Sequence, residues 1–107
     1  MTSTSTLTLT FNTVPVRVVF SPTGEPRFIA QDVARATGYS SSAAILRAAN
    51  DEDILWVYVG HGAPVNAVTV PGIERVARYA RKPAVRAFSE WVANAALPAI
   101  NRAKEAA

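Results

Sequence analysis

The chain has 107 residues, half of them hydrophobic, which suits one domain with its own core and excludes wholesale disorder. It has no cysteine, which removes disulfides, thiolate metal sites and cysteine nucleophiles together, and no apolar run near the ~20 residues of a membrane span. The formal net charge is +3 and the pI about 9.8, and seven of the eleven basic side chains fall in residues 71–107 against three of the eight acids. A cationic third of a small domain suits a polyanionic partner.

Residues 1–6, MTSTST, read as a polar flexible tail ahead of a single domain over residues 7–107. From Leu7 the pattern alternates, with Leu7, Leu9 and Phe11 on one side and Thr8, Thr10 and Asn12 on the other, which is the period of a strand. Val14, Val16, Val18 and Phe20 repeat it with Arg17 opposite, and Asn12-Thr13 is the tight connection of a hairpin. The turn formers Ser21 to Pro26 lead to a short third strand, Arg27-Phe28-Ile29. Helical spacing follows, with Ile29, Val33 and Ala36 on one stripe and Ala30 and Ala34 beside it. Gly38 ends that helix, because glycine accepts the left-handed conformation found just past a helix end. One of Ser40, Ser41 or Ser42 caps a second helix built on Ala44, Ile45 and Ala48 or Ala49, which Asn50 ends.

Ile54 to Val59 is β-branched and aromatic, and Val65 to Val70 is a further strand across the loop Gly60-His61-Gly62-Ala63-Pro64. Pro71-Gly72 opens a helix with apolar Ile73, Val76, Ala77 and Ala80. Pro83 opens the last one, with a stripe of Val85, Phe88, Val92 and Ala95 or Ala96 that Pro98 ends or kinks. The order is that of a small mixed α+β domain. It has an N-terminal β-hairpin plus third strand, a helix-turn-helix-like pair, a second β-hairpin and two C-terminal helices.

Residues 32–48, DVARATGYSSSAAILRA, have the form of a helix-turn-helix. Ala34 precedes Gly38 by four residues, where a close helix crossing calls for a small side chain. Ser41 and Ser42 then stand at the amino end of the second helix, where hydroxyls and free N–H groups suit a phosphate, and Arg47 is its one long donor toward a base edge. The same pattern also describes an ordinary corner, and Asp51-Glu52-Asp53 would repel a duplex at that end. The second hairpin has the position of a wing, although its loop has no Arg or Lys. The stronger electrostatic candidate is ERVARYARKPAVR, with Arg75, Arg78 and Lys82 on one face and Arg81 and Arg86 flanking Pro83. Within it only Glu74 carries the opposite sign. His61 reads as a solvated loop residue. With one histidine and no cysteine there is no nucleophile–base or metal constellation, so neither an enzyme nor a cofactor, metal or small-molecule substrate is expected.

Three blocks carry a resemblance to the amino-terminal domain of the BRO family (Bro-N), found in phage antirepressors and baculovirus repeated-ORF proteins. They are VRVVFSPTGEPRFIAQDVARATGYS, ARKPAVRAFSEWV and ALPAI, which together cover roughly residues 9 to 102. The resemblance implies a phage or prophage transcription regulator that binds double-stranded DNA in the cytoplasm of a bacterial host. On it Asp32 and Tyr39 hold the first helix and turn, while Arg81, Lys82 and Arg86 form the basic segment ahead of Trp91. Trp91 and Pro98 are core and chain-direction residues. The sequence departs from the family pattern in lacking an acid before Val70-Pro71-Gly72-Ile73 and in having Ala80 where members have a serine. Members usually carry a further carboxy-terminal domain, so the sequence reads as a minimal member, a truncated one or a fragment. An antirepressor can instead grip a repressor protein, which the alanine-rich helices and the acids near Asp51 would suit. One reading helix binds DNA weakly, so a homodimer is expected, with Trp56, Tyr58 and the last helix as interface material or as core.

Overall fold

Asn12 and Thr13 both adopt positive φ, 46° and 69°, the twist that joins two antiparallel strands through a two-residue turn. That turn links β1 (Thr6–Phe11) to β2 (Val14–Phe20), paired from Thr6 opposite Val19 to Phe11 opposite Val14. The computed structural model describes residues 6–106, so most of the expected flexible tail, residues 1–5, lies outside the described residues and Thr6 opens β1. The chain continues through β3 (Pro26–Ile29), α1 (Ala30–Thr37), α2 (Ala43–Ala48), a 3-10 turn (Asp51–Asp53), β4 (Ile54–Val57), β5 (Val65–Thr69) and α3 (Val70–Tyr79). It ends with α4 (Pro83–Trp91), a π-helical turn (Val92–Ala96) and α5 (Leu97–Ala106). The domain is α+β.

All five strands form one antiparallel sheet in the order β1-β2-β3-β5-β4. The second hairpin is therefore no separate wing. β5 pairs with β3 through Phe28 opposite Val68 and leaves β4 at the edge. Alternation decides what each face carries. Val16, Val18, Phe28 and Val68 point to the helices and form the main core with Val33, Ile45, Ile73, Val76, Val85, Phe88, Val92 and Ile100. The opposite face holds a smaller cluster of Val19, Ile29 and Ala67. Ile29 belongs there as the last residue of β3 and not to the α1 stripe, which consists of Ala30, Val33, Ala34 and Thr37. β4 stops at Val57, before the Val59 that propensity suggests, and Val70 is already the first residue of α3.

The aromatic centre is Phe88, fully buried, with its ring 5.2 Å from Phe11, 5.4 Å from Trp91 and 6.4 Å from Phe28. Pro98 does not end the helix that carries Phe88. Proline has no N–H to donate and its ring crowds the carbonyl four residues back, so an α-helical turn there is unfavourable. The chain instead widens just before it, and the Leu97 N–H donates to the Val92 carbonyl five residues back. The extra residue keeps Val92, Ala96 and Ile100 on the buried side and turns Ala95 outward.

Thr69 starts α3 as its N-cap. Its hydroxyl accepts the Gly72 N–H at 3.1 Å and donates to Asp53 at 2.9 Å, tying the 3-10 turn to the helix. Gly72 is required by space. A Cβ there would lie 2.5 Å from the Val68 side chain and 2.9 Å from Asp53.

Candidate nucleic-acid interface

The turn between α1 and α2 is built from hydrogen bonds that local sequence dictates. Gly38 has φ 86°, and its N–H donates to the Arg35 carbonyl while the Tyr39 N–H donates to the Ala34 carbonyl at 2.8 Å. This pair of bonds closes a helix end only when the residue after the last helical one takes the left-handed conformation. The serines do less than the sequence suggests. Ser42 makes no capping bond, and only the Ser41 hydroxyl accepts a nearby N–H, that of Ala43, at 3.3 Å.

Asp32 fixes the incoming helix to the sheet. The pairing of β2 with β3 stops at Val18 opposite Phe28, so the Arg17 N–H has no ladder partner. The Asp32 carboxylate accepts it at 2.9 Å, and the Arg17 guanidinium closes onto the same carboxylate at 2.8 and 3.1 Å. Arg35 adds a longer contact of 3.4 Å. The side-chain hydrogen bond to Asp32 raises the Arg17 pKa above its ordinary value, against the opposing effect of its own burial. Asp32 was legible only through the family resemblance. Its partner, Arg17, announced itself as the one charge in an otherwise apolar strand.

One cation from the last third of the chain, Lys82, reaches this turn. The Lys82 ammonium donates to the Gly38 carbonyl at 2.7 Å and sits 4.5 Å from the centre of the Tyr39 ring. Arg81, Lys82 and Arg86 surround a cleft of about 240 Å³ with Ala80 and Pro83. Among the described residues the ion pairs are those of Asp32 with Arg17 and Arg35, so no carboxylate neutralises the three cations of the cleft. Arg78 is exposed on the last turn of α3.

Two candidate residues stand apart. Arg75 is half-buried, its guanidinium 5.0 Å from the Tyr79 ring and its Nε buried with no partner. Arg47 is exposed on the last turn of α2 and does not line the cleft. Residue type alone pointed to neither the Tyr39 contact of Lys82 nor the exposed Trp56. The family resemblance implies a role for Tyr39 in the turn, and the sequence leaves Trp56 and Tyr58 open between interface material and core, whereas the structure exposes both. Among the described residues no group of three or more His, Cys, Asp or Glu side chains is placed to hold a metal ion. Among the described residues no helix is long and apolar enough to cross a membrane.

Compared with known proteins, residues 15–98 match the model of the BRO family, N-terminal domain. Neither the curated proteins nor the solved structures contain a match to the chain.

Proposed function

The chain belongs to the BRO family, whose N-terminal domain spans most of its length, and on that premise we propose a phage- or prophage-type transcription regulator that contacts double-stranded DNA. The family is associated with phage antirepressors and DNA-binding regulators. The contact surface in this reading is the α1–α2 turn together with the cleft of Arg81, Lys82 and Arg86. The observation that carries it is the bond from Lys82 to the Gly38 carbonyl, which joins turn and basic segment across 44 residues of sequence.

Phosphates bind to the cleft cations and Arg78, with Ser41 and Ser42 as hydroxyl donors at the far end of the turn. Arg47 reads a base edge, and guanine offers its two-acceptor edge to an arginine. Arg75 contributes through its stacked guanidinium at the border. A six-residue helix reads little sequence, so the working unit is a homodimer with its two turns about 34 Å apart along one face of the duplex.

Anisotropy of a labelled duplex of random sequence, titrated between roughly 50 and 200 mM salt, tests the reading. About three neutralised phosphates give log K against log salt a slope near −3, and replacing Arg81, Lys82 and Arg86 by alanine flattens it to about −1, the share that Arg78 keeps. Absence of binding at the lowest salt, with capture of a repressor protein in its place, overturns the DNA reading in favour of a protein-interaction module.

A further inference from the structure

The helices do not cover their side of the sheet as far as the β4 edge. Trp56 stands there 72% exposed, directly across the ladder from Asn66. The neighbouring cross-strand pair on that face, Ile54 and Val68, lies two residues along each strand, so Trp56 and Asn66 share the helix-packed face of Val68. Between this edge and the amino ends of α1 and α2 lies an open depression of about 220 Å³, whose lining includes Gln31, Ser42, Trp56, Pro64 and Asn66. No lining residue is charged. The hydroxyl of Ser42 is free of any capping bond.

From this juxtaposition the geometry points to a subsite for one unstacked purine base, adenine before the others, in a strand that continues from the phosphates on the Arg81–Arg86 cleft. The inference rests on the DNA reading above and adds a second contact to it. An indole face offers a stacking surface to any base. The two side-chain amides, Gln31 and Asn66, supply the paired donor and acceptor that match adenine on its N6 and N7 edge. A lining without charge admits an uncharged ring and offers neither a phosphate nor an ammonium a counter-charge. The cavity is below the roughly 300–1,000 Å³ of a drug-sized pocket, which suits a single heterocycle. Reach is also sufficient. Gly38, which holds Lys82, and Ser42, which lines the depression, are four residues apart, so the two contacts are bridged by a turn no longer than about 14 Å. A strand spans that in a few nucleotides.

The test compares a blunt duplex with the same duplex carrying one unpaired adenine or one unpaired thymine, by anisotropy and by quenching of tryptophan emission. Trp91 packs against Phe11 and Phe88 and gives a constant background. The unpaired adenine is expected to tighten binding by the wild-type chain roughly 5- to 150-fold and to quench Trp56. Trp56→Ala loses that gain while its blunt-duplex affinity stays within about twofold, and Trp56→Phe retains most of it. Gln31→Ala and Asn66→Ala reduce the preference for adenine over thymine without altering the salt slope. Far-UV circular dichroism checks that each variant keeps the fold. Blunt-duplex binding with no gain from an unpaired base, or an equal loss for both duplexes in Trp56→Ala, overturns the subsite alone. Failure of the wild type to bind either duplex overturns the DNA reading and the subsite with it.

Discussion

Replacing Asp32 by alanine removes the one carboxylate on which the junction of sheet and first helix depends. Asp32 is 1% exposed and accepts the Arg17 backbone N–H, both arms of the Arg17 guanidinium and a longer contact from Arg35. An N–H left without a partner costs roughly 1–3 kcal/mol. Breaking a fully buried ion pair costs roughly 3–5 kcal/mol, but the Arg17 side chain is 34% exposed and rehydrates in part, so its share falls at the low end. The two losses have the same acceptor and overlap, giving about 3 kcal/mol in total. For a domain of this size that lowers the melting temperature by roughly 12–24 °C. Asp32→Asn retains one oxygen acceptor and costs less, about 1–2 kcal/mol. Urea unfolding followed by circular dichroism reads both numbers, with the midpoint moving and the slope unchanged. An unfolding free energy for Asp32→Ala within about 0.5 kcal/mol of wild type would refute the reasoning, because the junction would then be held by packing alone.

Other outcomes follow from the same geometry. Gly38→Ala puts a side chain on a backbone at φ 86° and is expected to lose about 1–2 kcal/mol in thermal unfolding; the added Cβ meets nothing closer than the Lys82 nitrogen at 3.5 Å, so a larger loss would point to another cause. Phe88→Ala removes the ring onto which Phe11, Phe28 and Trp91 pack and is expected to cost about 3–5 kcal/mol in urea, and a loss below 1 kcal/mol would contradict this picture of the core. Arg47→Ala is expected to relax discrimination at one base position by roughly 1–3 kcal/mol in competition among duplexes, whereas Arg78→Ala weakens all duplexes alike. Sedimentation at micromolar concentration is expected to return a dimer, and a monomer there would remove the two-fold arrangement from the account.

What the sequence made legible was mostly local. The Asn12-Thr13 turn, the alternation of the first hairpin and the glycine stop at Gly38 depend on residues a few positions apart, and their geometry matches. The family blocks also brought out Asp32 and the basic segment around Pro83. Contacts between distant segments were not written in any spacing. The pairing of β3 with β5 merges two hairpins into one sheet, and the reach of Lys82 to Gly38 depends on how α4 packs on α1 and α3 on α2. The π-helical turn was hidden for a different reason. A proline in a helical pattern signals a break, and only the widened turn before it allows α4 to run into α5. Ile29 fits a period of two and a period of 3.6 equally well at the point where the strand becomes a helix, and only the sheet pairing places it on the far face.

The most direct test of the proposed surface is amide chemical-shift mapping of the labelled chain titrated with a duplex. If the turn and the cleft bind as one unit, the resonances of Gly38 to Ser42 and of Arg81 to Arg86 shift together, at the same duplex concentration. Perturbations confined to other elements, or cleft residues that move while the turn stays fixed, would contradict it.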